Sequence, residues 1–285
     1  MTQPPWDKLG INVQNIAPPK MLQTAGLGWH VVKRPMFATL ELRVGPPRQI
    51  TIPDRQMLIR ESDGEPMSVV STNWAPTQNE EAFTIFEQIV ERGKMEMTHL
   101  GSLREGRIVW SLAKTPWSFR ASTDTVQSYV LMSNPHEYGR SMDARYMAVL
   151  PDMTTIVLPL EHGTLFTTHR SKLKDATINI VLRELRAAHD DMARHAAILV
   201  KNKFVGSSEF FTGVFGSAKP AAMALEIMSA SKENTLWQAV KSTAHAIDYS
   251  LGYSPDTRMT SAWYGVNRAK KEKALRTAMQ IASLS

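Results

Sequence analysis

Near residue 175 the apolar residues of this chain change their spacing, and few folds accommodate both halves of the pattern. From Met36 to Pro66 apolar and polar residues alternate, the period of a strand with one buried face, and further strand candidates follow up to that point. Beyond it Ile178, Leu182, Leu185, His189, Met192, Ala196 and Leu199 recur alternately four and three apart, the period of a helical stripe. Strands first and helices afterwards predict an α+β protein, with an antiparallel sheet core and a helical carboxy-terminal third. The expected organisation is an amino-terminal arm over 1–35, the sheet core over 36–170 and a helical, basic region over 171–285.

Local signals order the core. The lead-in is rich in Pro4, Pro5, Pro18, Pro19, Gly26 and Gly28, with a short helix possible at Lys20 to Ala25. Breakers at Gly45-Pro46-Pro47 and Pro53-Asp54 cut the alternating run, and Asp63-Gly64 tolerates the positive φ of a tight turn. That turn makes a hairpin of Gln56 to Arg60 and Met67 to Ser71. Asn79 reads as an N-cap, with Glu80 and Glu81 in the first turn and Ala82, Phe83, Phe86, Ile89 and Val90 at helical spacing up to Gly93. A meander follows: Met95 to Leu103, Arg107 to Ala113 and Val126 to Ser133, the first two joined through Glu105-Gly106. Tyr146 to Leu150 and Thr154 to Leu160 read as two more strands. The long helix is expected over Asp175 to Val200, a Gly/Ser/Phe loop over Gly206 to Pro220, and helices over Ala221 to Ser229 and Thr235 to Leu251. A Ser254-Pro255-Asp256 turn then leads to a last helix near Arg268 to Ala282. The heptad-like stripe of the long helix serves either its own domain or an intermolecular coil, and its short length favours the former.

Several chemistries are excluded or disfavoured. There is no cysteine, which removes disulfides, thiolate nucleophiles and Cys-based metal sites and suits a reducing cytosol. Met1 to Trp29 lacks a basic segment followed by an apolar core, and no run approaches the roughly 18 apolar residues of a membrane span. No phosphate-cradling glycine loop is present: Gly26-Leu27-Gly28 neither follows a strand nor opens a helix. No cofactor is expected.

A net charge of +6 favours an anionic partner. Arg104, Arg107, Lys114 and Arg120 are interleaved with Trp110, Trp117 and Phe119; Arg140 and Arg145 follow, then Arg170, Lys172 and Lys174. Phosphates need counter-charge, and an unstacked base gains about 1–3 kcal/mol from an aromatic face, so this mixture suits a single-stranded nucleic acid. Trp110, inside a strand, reads as core, whereas Trp117 and Phe119 serve either core or stacking. The last helix carries Arg268, Lys270, Lys271, Lys273 and Arg276 against Glu272, and either faces a polyanion or is a solvated helix pinned by Leu275 and Met279. His162 and His169 with Glu161 and Asp152 come nearest to a metal or acid–base site, but their spacing fits no helical two-histidine motif. Asn134-Pro135-His136-Glu137 with Arg140 and Asp143 is a polar segment after a strand, read as a binding or structural turn.

Many short segments, in order, resemble an uncharacterised family known as "phage/plasmid-like protein". They are Pro53-Asp54-Arg55, Met57 to Arg60, Asp63 to Pro66, Val69-Val70 and Pro76 to Asn79 with Glu81-Ala82-Phe83. Further along come Gly101-Ser102-Leu103, Gly106-Arg107, Val109-Trp110, Leu131 to His136, Asn234 to Trp237 and Ser261 to Gly265. The chain departs from the family after Arg145, where relatives carry a Cys-Gln-Asn-Thr-type segment and this one has Asp152-Met153-Thr154-Thr155. The resemblance implies a mobile genetic element and a bacterial cytoplasm, and brings no catalytic residues. The helix, three-stranded meander, long helix and basic tail are also similar in outline to single-strand annealing recombinases of the Redβ, RecT and Erf kind, which implies DNA held in a basic groove and ring or filament assembly without ATP. The expectation is therefore a DNA-binding annealing or recombination accessory protein, homo-oligomeric, with single-stranded DNA as partner and no membrane. Two alternatives remain: a metal-dependent enzyme acting on nucleotide or nucleic acid, and an oligomeric structural or host-takeover protein.

Overall fold

The computed structural model describes residues 3–159, 164–167, 175–205 and 208–284. The elements in order are β1 (Gly10–Asn12), α1 (Pro18–Thr24), β2 (Val31–Leu40), β3 (Arg48–Arg60), β4 (Pro66–Ser71), α2 (Asn79–Arg92), β5 (Glu96–Leu103) and β6 (Ile108–Ala121). They continue with β7 (Asp124–Pro135), β8 (Met142–Val149), β9 (Thr155–Val157), β10 (Thr164–Thr167), α3 (Asp175–Lys201), α4 (Ser208–Phe215) and α5 (Ala218–Ser229). The chain then closes with α6 (Leu236–His245), a π-helical turn (Ala246–Ser250), α7 (Pro255–Tyr264) and α8 (Val266–Ser283). The architecture is the expected α+β type, with helices concentrated toward the carboxy terminus.

The main sheet is antiparallel with strand order β1-β5-β6-β7-β8-β10, and β9 also pairs with β8. The meander forms where alternation predicts it, turned by Arg104, Glu105 and Gly106 at φ 53, 59 and 94°. On one face Ser128 holds α3: its hydroxyl lies 2.8 Å from His189 Nδ1 and 3.0 Å from Tyr146 OH. Ile178, Leu185, His189, Met192, Ala196 and Leu199 are all buried, so the helical stripe is used within the chain. On the other face Trp110 meets Trp263 of α7 edge-on at 5.1 Å, and Trp263 lies 6.2 Å from Trp6.

The amino-terminal segment, expected as an arm, contributes to this core. Trp6 and Val13 are 1% and 0% exposed, and Gly10 pairs with Gly101 across β1 and β5. The pairing needs two glycines, because a Cβ on Gly101 would lie 2.2 Å from Leu9 O and 2.5 Å from the Trp110 ring. Gly101→Ala is expected to unseat β1 and lower stability by about 1–3 kcal/mol, read as a fall in thermal midpoint.

Three other expectations are corrected. Gln78, not Asn79, caps α2 through a capping box with Glu81, because the Asn79 amide is buried and donates to Leu27 O at 2.9 Å. Within the expected 206–220 loop lies α4, folded around buried Phe210, Phe211, Val214 and Phe215. Ser254-Pro255-Asp256 is not a free turn: Ser254 caps α7 by accepting from Thr257 N, with Pro255 at the first helical position.

The hairpin of β3 and β4 belongs to a separate three-stranded sheet ordered β2-β3-β4, with its own small core of Val31, Leu58, Met67 and Val70. Strand β4 pairs only with Arg55 to Ile59, so β2 and β3 run on beyond it as a two-stranded ribbon paired from Phe37↔Thr51 to Leu40↔Arg48.

Candidate functional site

Register brings chemistry together at one end of the main sheet. Ser133 pairs with Asp143 and Leu131 with Arg145 across β7 and β8, and because side chains alternate, Ser133, Asp143 and Arg145 share the face covered by α7. The intervening loop is tied down by His136 N donating to Arg107 O at 2.7 Å. Gly265 separates α7 from α8, setting Tyr264 beside Arg268 and Glu272. The result is a cleft of about 340 Å³ lined by Ser133, Arg140, Asp143, Arg145, Tyr264, Arg268 and Glu272. A second hollow of about 320 Å³, lined by Arg104 and Asp256, shares Arg140, Tyr264 and Gly265 with it.

Ion pairs and hydrogen bonds hold these side chains in place. Asp143 is 5% exposed; its Oδ2 accepts from Arg145 Nη2 at 2.7 Å, while Oδ1 is buried without a hydrogen bond of ordinary geometry. Burial pushes its carboxyl above the usual range, with Arg145 and the Ser133 hydroxyl opposing. Arg145 also donates to Trp263 O at 3.2 Å and places its guanidinium 5.1 Å from the Tyr264 ring centre. The Tyr264 hydroxyl lies 2.8 Å from Ser133 Oγ, and burial drives its phenol upward. Arg268 Nε donates to Glu272 Oε1 at 2.7 Å and Nη2 to Leu158 O at 3.0 Å. Burial and the neighbouring Arg145 lower its pKa, and burial raises that of Glu272 against the pull of Arg268. Glu137 bridges Arg104 and Arg140, the latter at 3.2 Å, and Arg104 N donates to Asp256 Oδ2 at 2.8 Å. Across both hollows Arg104, Arg140, Arg145 and Arg268 face Asp143, Asp256 and Glu272, a lining able to hold an anionic group and hydrogen-bond donors together.

Those four arginines are the predicted nucleic-acid-binding residues that the fold assembles. Arg107 instead turns to Pro66 O at 3.2 Å, with Glu65 and Glu105 at 3.9 and 4.0 Å. Lys114, Trp117, Phe119 and Arg120 lie farther along β6, and Arg120 is twelve residues from Ile108, about 40 Å of strand. Trp117 lies under Arg186 at 5.3 Å and 5.8 Å from the His189 ring, and Phe119 also packs on His189, so both brace α3. The Lys270 ammonium stands 5.7 Å from the Phe215 ring. Lys271 is 1% exposed and paired with Asp248 at 2.5 Å, which takes it out of any surface contact. Arg170, Lys172, Lys174, Glu161, His162 and His169 lie outside the described residues. His136 is buried, with Nε2 2.9 Å from Asn79 Oδ1, and serves to fix the loop. Sequence reasoning missed Tyr264, Glu272, Ser133 and Asp256; the i,i+4 spacing of Arg268 and Glu272 was the one local signal available.

Among the described residues no group of three or more His, Asp or Glu is placed to hold a metal ion. No helix among them is long and apolar enough to cross a membrane. Neither curated proteins nor solved structures give a match to this chain. Residues 66–149, from β4 through β8 and including Arg104, Arg140, Asp143 and Arg145, match the domain of unknown function DUF932.

Proposed function

We propose that this chain binds single-stranded DNA without a nucleotide cofactor, as an annealing or recombination accessory protein of a phage or plasmid acting in the bacterial cytoplasm. The observation that carries the reading is the placement of Arg104, Arg140, Arg145 and Arg268 around two adjoining hollows that share Arg140 and Tyr264, one of which also holds the buried Asp143. Such a lining suits one unstacked nucleotide, its phosphate competing with Glu137 for the half-exposed Arg104 and Arg140 while Arg145 and Arg268 stay paired with Asp143 and Glu272. The volume is that of a small-ligand pocket, not of a long trough. The contact is therefore local, and strand length enters through repetition of the chain, not through a long groove on each copy.

Anisotropy of a labelled oligonucleotide against salt tests this. One or two phosphates engaged per chain give a slope of log K on log salt of about −1, at roughly 0.7 per phosphate for single strands. Arg140→Ala, at a half-exposed position, is expected to weaken binding about 10- to 100-fold, the worth of a charge-assisted hydrogen bond, with folding retained. The protein should also speed pairing of complementary strands with no nucleotide added. Salt-independent binding that Arg140→Ala leaves unaltered would remove the reading.

A further inference from the structure

Among the described residues, none covers the ribbon formed by the outer halves of β2 and β3. It exposes Phe37, Leu40, Leu42, Val44 and Ile50, with Val44 at 90%. Two-stranded ribbons are marginal in water, and a cluster of exposed apolar side chains on one marks a contact surface. Its cations are uncommitted: among the described residues no carboxylate lies within 4.0 Å of the Arg43 or Arg48 guanidinium.

Elsewhere on the molecule lies the complement. Between α1, the end of α2 and the start of β5 runs a groove of about 590 Å³ whose floor includes Ile16, Val90, Met95 and Met97. Glu87, Glu91 and Glu96 rim it, and no lysine or arginine lines it. Burial and the neighbouring Glu91 hold the Glu87 carboxyl above its usual range, a repulsion that an incoming cation relieves.

We infer that the hairpin tip around Leu42, Arg43 and Val44 of one copy seats in the Glu-rimmed apolar groove between α1, α2 and β5 of a second copy. Apolar side chains meet the floor, and Arg43 and Arg48 meet the glutamate rim. A second copy is the occupant because the same chain carries both halves: an apolar tip with unpaired cations, and an apolar groove with acids and no cation. Tip and groove are different surfaces, so the contact is head to tail, and repetition builds a ring if the rotation closes and a filament if it does not. This inference stands apart from the DNA cleft, which uses neither surface.

Sedimentation velocity of the full chain decides it. Wild type is expected to assemble beyond the monomer as concentration rises. Val44→Asp on the tip and Glu91→Arg on the groove, both at exposed positions, are each expected to raise the midpoint concentration of assembly at least about 10-fold. The diagnostic arm mixes the two variants: Val44→Asp keeps an intact groove and Glu91→Arg an intact tip, so together they form a two-chain complex and stop. Circular dichroism and thermal midpoints matching wild type confirm that each variant folds, and a variant with residues 39–49 replaced by Asn-Gly gives a tip-free chain should Val44→Asp misfold. A wild type monomeric up to its solubility limit, or a mixture that stays monomeric, overturns the inference. So does a tip variant that loses oligonucleotide binding while assembling normally, which would make the hairpin a nucleic-acid contact. Loss of salt-sensitive DNA binding in Arg140→Ala with assembly intact bears only on the cleft.

Discussion

Lys271→Ala lowers the folding stability of this protein by about 3–5 kcal/mol, a fifth or more of the roughly 5–15 kcal/mol that a domain ordinarily possesses. The Lys271 ammonium is sealed between Asp248 Oδ1 at 2.5 Å, Thr155 O at 2.8 Å and Thr155 Oγ1 at 2.6 Å, and Asp248 is 0% exposed. Burial lowers the lysine pKa, and Asp248 is the main influence restoring it. Removing the cation strands a carboxylate that still accepts from Thr155 N and Oγ1 at 2.7 and 2.9 Å but has lost its counter-charge. Adding Asp248→Asn keeps an acceptor for Thr155 and removes the charge, so the double variant with Lys271→Met recovers most of the loss. Guanidinium denaturation followed by tryptophan fluorescence measures both. Equal instability of single and double variants would mean that packing, not charge pairing, sets the value of this site.

Arg145→Ala has the second largest effect, and it couples folding to the cleft. Arg145 is the principal group holding down the Asp143 carboxyl, which burial already raises. Without it the folded carboxyl climbs further above its unfolded value. A raised folded pKa means that the native state holds the proton more tightly, so the deficit is largest at neutral pH, shrinks on acidification and returns as pH rises. The expected loss is about 3–5 kcal/mol at neutral pH, with oligonucleotide binding abolished. Adding Asp143→Asn removes the pH dependence. Arg145→Lys keeps the charge but not the planar guanidinium over Tyr264, and is expected to recover stability more than binding. A pH-independent stability deficit in Arg145→Ala would show that Asp143 is not the group left behind.

Much of the sheet was legible because its signals are local. Alternation placed β5 to β8, Asp63-Gly64 turned the β3–β4 hairpin, and the spacing of Ala82, Phe83, Phe86 and Ile89 placed α2 on the core. What failed depends on distant partners. Trp6 and β1 read as a lead-in because their partners, Gly101, Trp110 and Trp263, lie far along the chain. The Phe210-Phe211 run read as loop because Gly213 and flanking serines mask a helix that only burial justifies.

The same division explains the site. Basic residues are visible one at a time, but whether each faces solvent, a carboxylate or the interior is set by register and helix rotation. Lys270, Lys271 and Arg268, close in sequence, go to an aromatic ring, a buried ion pair and the cleft. Tyr264, in a segment noticed only for its family likeness, lines the cleft through the break at Gly265.

The contact between Trp6 and Trp263, and the pairing of β1 with a strand some ninety residues later, tie early sequence to late sequence. A ribosome releases the first of these segments long before the second. During vectorial synthesis the outer edge of β5 thus has its partner strand to hand from the start, whereas the indole that clamps that strand arrives only with α7.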